Sequence, residues 1–299
     1  MITHCFFIGN GFRTPNTNPL HHSNPFNTLP SSGVPIERKV HVGEPILHSS
    51  YSFESNILAL MSTPMAMNAV KSGTVSLPIA SRIQYTNVQA NATRADIVRH
   101  CEIALDYQFD AVMLQPCWIS LSLDILEGSS IKTATAVAYP MGGETTRMKV
   151  QLAREVIQLG ADEFDFQPNI GFLLSGMLQE FENEIRAVVH AAEGRSVKVM
   201  SEFGFLSRED QIRCMRIAED AGVSYVKNSS GVGPGGSAAT PEVIAFMRSY
   251  LSPSTRIKAS GGIKSYVQAV ALLEAGADLL GSSAGPAIAM GVAASAEGY

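Results

Sequence analysis

The sequence predicts an α/β fold, a single (β/α)8 TIM barrel on residues 76–299 behind a polar leader at 1–75. Three observations predict it. Eight short runs rich in β-branched and aromatic residues alternate with helical patterns in one unbroken series, at intervals of about 20 to 35 residues. Lys227 and Lys258 end two consecutive runs of that series, and each leads straight into small, Gly-rich sequence. No GxGxxG fingerprint opens the first strand–helix unit, which disfavours a doubly wound open sheet.

The elements follow in order. Ile79 to Gln84 reads as the first strand, and Thr93 to Gln108 as a helix with Ile97, Val98, Cys101, Ala104 and Leu105 on one face. Phe109 to Gln115 is a second strand stopped by Pro116, Leu121 to Leu126 a short helix, and Ile131 to Ala138 a third strand ended by Pro140 and Gly142-Gly143. Thr145 to Leu159 is helical, closed by Gly160, a C-terminal signal. Strand four is Glu163 to Phe166, and the helix from Met177 to Ala192 is closed by Gly194. Strand five is Val197 to Glu202, and the helix from Ser207 to Ala221 carries acids in its first turn. Strand six, from Tyr225, holds Lys227, and the helix from Pro241 to Leu251 has proline in its first turn. Strand seven holds Lys258, Ser265 to Ala275 is the next helix, and Ala277 to Ser282 is strand eight.

The leader has a different texture. From Met1 to Ile36 it has one charged side chain, Arg13, and no acid, and Asn, Pro, Ser, Thr and His dominate. Such a segment buries too little apolar surface to offset its ordering entropy, so disorder is expected. Two origins stay open: an organelle transit peptide, and a start assigned upstream of Met61, Met65 or Met67. The net charge of −5 gives no electrostatic reason to expect nucleic acid or an anionic membrane surface. No run approaches the ~18 apolar residues of a membrane span. The four cysteines form no CxxC pair and do not cluster with histidine, so neither a disulfide framework nor a zinc site is expected, and a cytoplasmic, reducing setting is the default.

Strand ends of a barrel converge on one mouth. That rule gathers Gln84, Cys117, Asp165, Glu202, Lys227 and Lys258. Lysines ending consecutive parallel strands lie side by side, about 4.8 Å apart. Each ammonium then disfavours the other, and a lysine whose pKa is depressed in this way is an amine nucleophile toward a carbonyl. Alternation places Asp165 nearer the mouth than Glu163, where it could move protons for that chemistry.

Lys227-Asn228-Ser229-Ser230-Gly231 and Lys258-Ala259-Ser260-Gly261-Gly262-Ile263 resemble the two lysine motifs of the deoxyribose-phosphate aldolase family. Gly160-Ala161-Asp162-Glu163-Phe164-Asp165, Asn169-Ile170-Gly171 and Ser175-Gly176 resemble its acidic-strand motif, and the likeness runs collinearly over roughly residues 78 to 285. The resemblance implies a class I aldolase without metal or other cofactor. In it Lys227 is the Schiff-base residue, Lys258 its partner and Asp165 the proton shuttle. The implied reaction is reversible cleavage of 2-deoxyribose 5-phosphate to acetaldehyde and glyceraldehyde 3-phosphate. Gly-rich turns at Gly261-Gly262 and Gly281-Ser282-Ser283, with Ser230 and Gly231 closing from strand six, lie where barrels hold phosphate. Cys117 matches a cysteine common near the family's mouth and is read as a bystander thiol. Tyr299 ends the chain as some members do, with a mobile tyrosine that reaches the site.

Three positions depart from the pattern. Gln84 stands where the first strand usually ends in an acid, Ala284 stands for the second serine after Ser283, and Asn228 stands for threonine. They keep open a barrel that has lost catalysis and works as a binding or scaffold protein, and a class I aldolase on a non-phosphorylated or longer aldehyde. Homodimer and higher homo-oligomer are both open.

Overall fold

The computed structural model describes residues 79–233 and 238–291. The expectations for the leader and for Tyr299 lie outside the described residues. Eight parallel strands close into a barrel in chain order: β1 (Ile83–Asn87), β2 (Ala111–Leu114), β3 (Lys132–Val137), β4 (Glu163–Phe166), β5 (Ser196–Met200), β6 (Tyr225–Lys227), β7 (Arg256–Ser260) and β8 (Leu279–Ser282). The first strand corrects the sequence expectation. Ile79–Arg82 is a 3-10 turn, and β1 starts at Ile83 and runs on through Tyr85 and Thr86, both good strand formers. Its register explains the shift: Ile83 pairs with Leu280 of β8, and Asn87 still pairs with Leu114 of β2.

Outside the strands lie α1 (Arg94–Tyr107), α2 (Ile119–Leu126), α3 (Thr146–Gln158), α4 (Ile170–Leu174), α5 (Leu178–Ala191), α6 (Arg208–Asp220), α7 (Pro241–Tyr250), α8 (Tyr266–Glu274) and α9 (Gly285–Ala289). Side-chain caps start five of them. Thr93 and Ser265 form reciprocal capping boxes with Asp96 and Gln268, and Thr145, Ser207 and Thr240 each accept a backbone N–H of the first turn. Gly160 and Gly222 close α3 and α6 at φ +99° and +84°, a conformation that a side chain resists. The short α4 was not foreseen, because one turn of Ile-Gly-Phe-Leu-Leu shows no helical period. Among the described residues no helix is long and apolar enough to cross a membrane.

Two kinds of surface back the strands. Their outer faces, such as Val112, Phe164, Val199 and Ile257, join the helices in one continuous apolar core. Inside, β2 and β3 present a small apolar patch of Ala111, Met113 and Ala134, whereas β4 to β7 present charges. Lys198 pairs with Glu163 at 2.9 Å, both buried. Gln84 is fully buried and donates from Nε2 to Asp110 Oδ2 (2.9 Å) and to Glu163 Oε1. Lys132 closes this chain on Asp110 at 2.6 Å. Charges taken out of water in this way persist only when paired.

Candidate active site

Three inward side chains meet at the mouth. Lys227 and Lys258 are register partners across β6 and β7. Between them lies the Asp165 carboxylate: Lys227 Nζ donates to Oδ2 at 2.8 Å, and Lys258 Nζ donates to Oδ1 at 3.0 Å and Oδ2 at 2.9 Å. Asp165 is 1% exposed, Lys258 0% and Lys227 7%. Lys227 and Asp165 line a cavity, and Lys258 lies behind its wall. Of the two amines, Lys227 is therefore the one placed to meet a ligand.

Electrostatics divides the roles further. Burial pulls Lys258 down to about 7; Asp165 opposes this, and the Lys227 and Lys198 charges add to it. Lys258 thus exists as a free amine at mildly alkaline pH. Burial pushes the Asp165 carboxyl up, but the charges of Lys227, Lys258 and Lys198 outweigh it and hold the group well below the usual carboxylate range. Within the trio the Lys258 amine is driven toward its neutral form and the Asp165 carboxyl toward its ionised form.

The same cavity wall takes in Ser230, Gly231, Gly261, Gly262, Gly281 and Ser283. The loops differ in what they offer. After β6 the amides are engaged: Ser230 N–H donates to Glu202 (2.6 Å), Gly231 N–H to Ser229 Oγ (2.9 Å) and Val232 N–H to Ser230 Oγ (3.2 Å). By contrast, the N–H groups of Gly261, Gly262, Ile263 and Ser283 make no hydrogen bond to another described residue. Two of the carbonyls are tied down, since Ala239 N–H donates to Gly261 O and Ser282 Oγ to Ile263 O. The result is a set of unengaged amides on residues of the cavity wall, suited to an anion.

Other expected mouth residues lie elsewhere. Gln84 is in the charged interior and off the cavity wall. Cys117 is exposed in a 3-10 turn (Pro116–Trp118), and the inward position on β2 belongs to Met113. Glu202 is buried and supports the β6 loop without reaching the cavity. Thr86, Asn87, Tyr139, Ser260 and Lys264 line the wall and were not anticipated. The misplaced first strand hid Thr86, whereas Lys264, two residues past Gly262, stood in plain view of the Gly-rich turn.

A closed barrel whose mouth holds two lysines on one buried carboxylate has the architecture of a class I, Schiff-base aldolase. No family model matches the chain. It is 39% identical over 214 residues to the deoxyribose-phosphate aldolase of Geobacillus sp. (strain WCH70), covering 71% of this chain and 95% of that protein. It is 38% identical over 221 residues to that of Thermococcus gammatolerans, covering 73% and 97%. Among solved structures, the tetrameric deoxyribose phosphate aldolase from Aeropyrum pernix superposes with a TM-score of 0.65 at 29% identity, covering 71% of this chain and 89% of that one. The chain belongs to the deoxyribose-phosphate aldolase family.

Proposed function

We propose that this protein reversibly cleaves 2-deoxyribose 5-phosphate to acetaldehyde and glyceraldehyde 3-phosphate, with Lys227 as nucleophile, Lys258 and Asp165 as its proton relay, and the amides of Gly261, Gly262, Ile263 and Ser283 as phosphate cradle. The observation that carries this reading is the Asp165 carboxylate of the cavity wall, shared by the Lys227 and Lys258 nitrogens within 3.0 Å.

The chemistry follows from that geometry. Lys258, as the free amine, takes a proton from Lys227 by way of Asp165, which touches both. The Lys227 amine adds to C1 of the open-chain aldehyde. The carbinolamine loses its hydroxyl as water, with a proton returned by the relay, and leaves a protonated imine. The C2–C3 bond breaks, its electron pair moving into the imine to form an enamine. The C3 hydroxyl proton goes to the relay, and glyceraldehyde 3-phosphate departs. C2 of the enamine is then protonated, and water releases acetaldehyde and the Lys227 amine. Lys264, next to Ile263, lines the same wall.

Two further readings belong to this proposal. The three described cysteines are free, which supports a reducing cytoplasmic setting. The tetrameric relative supports a homo-oligomer. The catalytic roles are tested by borohydride trapping with acetaldehyde and peptide mass mapping, on the wild type and Lys227→Leu. A reduced ethyl adduct on the Lys227 peptide, absent from the variant, supports them. Adducts scattered over surface lysines, or none, would overturn them.

A further inference from the structure

Gln84 sits in the polar layer beneath the trio. Its side chain is fully buried, and its carboxamide nitrogen bridges two acids, donating to Asp110 Oδ2 at 2.9 Å and to Glu163 Oε1. Each acid has a cation of its own: Lys132 holds Asp110 at 2.6 Å, and Lys198 holds Glu163 at 2.9 Å. The Tyr225 ring lies 5.3 Å from the Lys198 ammonium and 4.1 Å from the Arg256 guanidinium. The spot between Asp110 and Glu163 calls for a neutral donor, since a carboxylate there would face two like charges.

This layer adjoins the trio on two sides. Glu163 and Asp165 stand two residues apart on one face of β4, which sets the layers about 6–7 Å apart. Across β8, Gln84 is the register partner of Gly281, and Lys258 Cε lies 3.1 Å from where a side chain at Gly281 would begin. At that rung β8 puts no side chain between position 84 and the Lys258 stem. The charges facing Lys258 are Asp165 from β4, Lys198 from β5 and Lys227 from β6, whereas Gly281 of β8 and Gln84 of β1 carry none. We propose that Gln84 is a positioning residue: as a neutral bridge it keeps the anion of its layer on β2, at Asp110, rather than beside Lys258, and so extends the working range of the site to lower pH. The inference rests on Lys258 as the free amine of the relay above. A carboxylate at position 84 would be a second anion near Lys258, besides Asp165. It would favour the ammonium form, and the free amine would appear only at higher pH.

The test moves the charge by one strand. Gln84→Glu with Asp110→Asn keeps the net charge of the layer and transfers its carboxylate from β2 to β1; Lys132, 41% exposed, can turn to water. For wild type and variant, kcat/KM for cleavage of 2-deoxyribose 5-phosphate is measured from about pH 5.5 to 9.5. One charge at this range changes the protonation equilibrium of a buried group on the order of tenfold, so the acid limb is expected to move toward alkaline pH by about 1 unit. The alkaline plateau is expected to stay within about threefold of wild type, because the free amine is the same in both. Gln84→Met removes the hydrogen bonds and adds no charge; its limb is expected at the wild-type pH, although its urea midpoint falls. Gln84→Asp with Asp110→Asn carries the charge on a shorter stem and takes over where the glutamate pair fails to fold. A limb that stays in place in the charge-moved variant, or that moves as far in Gln84→Met, would overturn the role of Gln84. A wild type with no limb near pH 7 would instead overturn the reading of Lys258 on which it rests.

Discussion

Lys258→Met separates the electrostatics of the buried trio from its chemistry. An ordinary lysine titrates at 10.5, and Lys258 is held at about 7. Between those values the unfolded chain carries a proton that the folded chain lacks, so raising the pH stabilises the fold. The gap corresponds to about 5 kcal/mol at ~1.4 kcal/mol per pH unit. It is absent below pH 7, where both states hold the proton, and complete above 10.5. Methionine fills similar space and cannot titrate. Urea unfolding of both proteins at pH 7, 8 and 9 is expected to show the wild type gaining about 2 kcal/mol on the variant over that range. The same proton governs catalysis: wild-type kcat/KM is expected to rise to a plateau above pH 7, and the variant to lose about 10²- to 10⁴-fold. Stability curves that run parallel within about 0.5 kcal/mol would refute the placement of a titrating amine at Lys258.

Two further perturbations probe its surroundings. In Gly281→Ala the new methyl would lie 3.1 Å from Lys258 Cε and 3.3 Å from Ser260 Oγ; displacing that amine is expected to lower kcat about tenfold or more, and an unchanged kcat would show that Lys258 tolerates movement. Away from the mouth, the fully buried Lys149–Glu184 pair (2.8 Å) holds Gly142 O and Asn169 N–H, tying the loops after β3 and β4 together. Lys149→Met alone is expected to cost about 3–5 kcal/mol by leaving Glu184 buried and unpaired, and Lys149→Met with Glu184→Leu distinctly less, read as urea midpoints.

The linear sequence carried the lysine pair and Asp165 because their signal is local. Each stands at the end of a recognisable strand, and the repeat spacing supplies the neighbours. What it carried poorly was height within the barrel. Gln84 and Thr86 both point inward from β1, yet only Thr86 reaches the cavity wall. That difference comes from strand stagger and from a 3-10 turn whose apolar residues, Ile79 and Ala80, imitate a strand start. Cys117 was misplaced for a related reason, since Pro116 turns the chain out of the sheet before the thiol. Turn chemistry suits Ser230 to closing a phosphate site, but Glu202, 28 residues earlier, accepts its N–H. A long-range partner of that kind leaves no local mark.

The polar interior has a consequence for how the barrel can be divided. Its buried acids, Glu163 and Asp165, lie on β4, and its buried lysines, Lys198, Lys227 and Lys258, lie on β5, β6 and β7. A cut between β4 and β5 would therefore leave buried acids on the inner wall of one half and buried lysines on the inner wall of the other, parted from the partners they pair with. Such fragments are complements rather than copies. Two first halves would confront carboxylate with carboxylate across the seam, and two second halves ammonium with ammonium, so pairing of unlike halves is written into the inner wall.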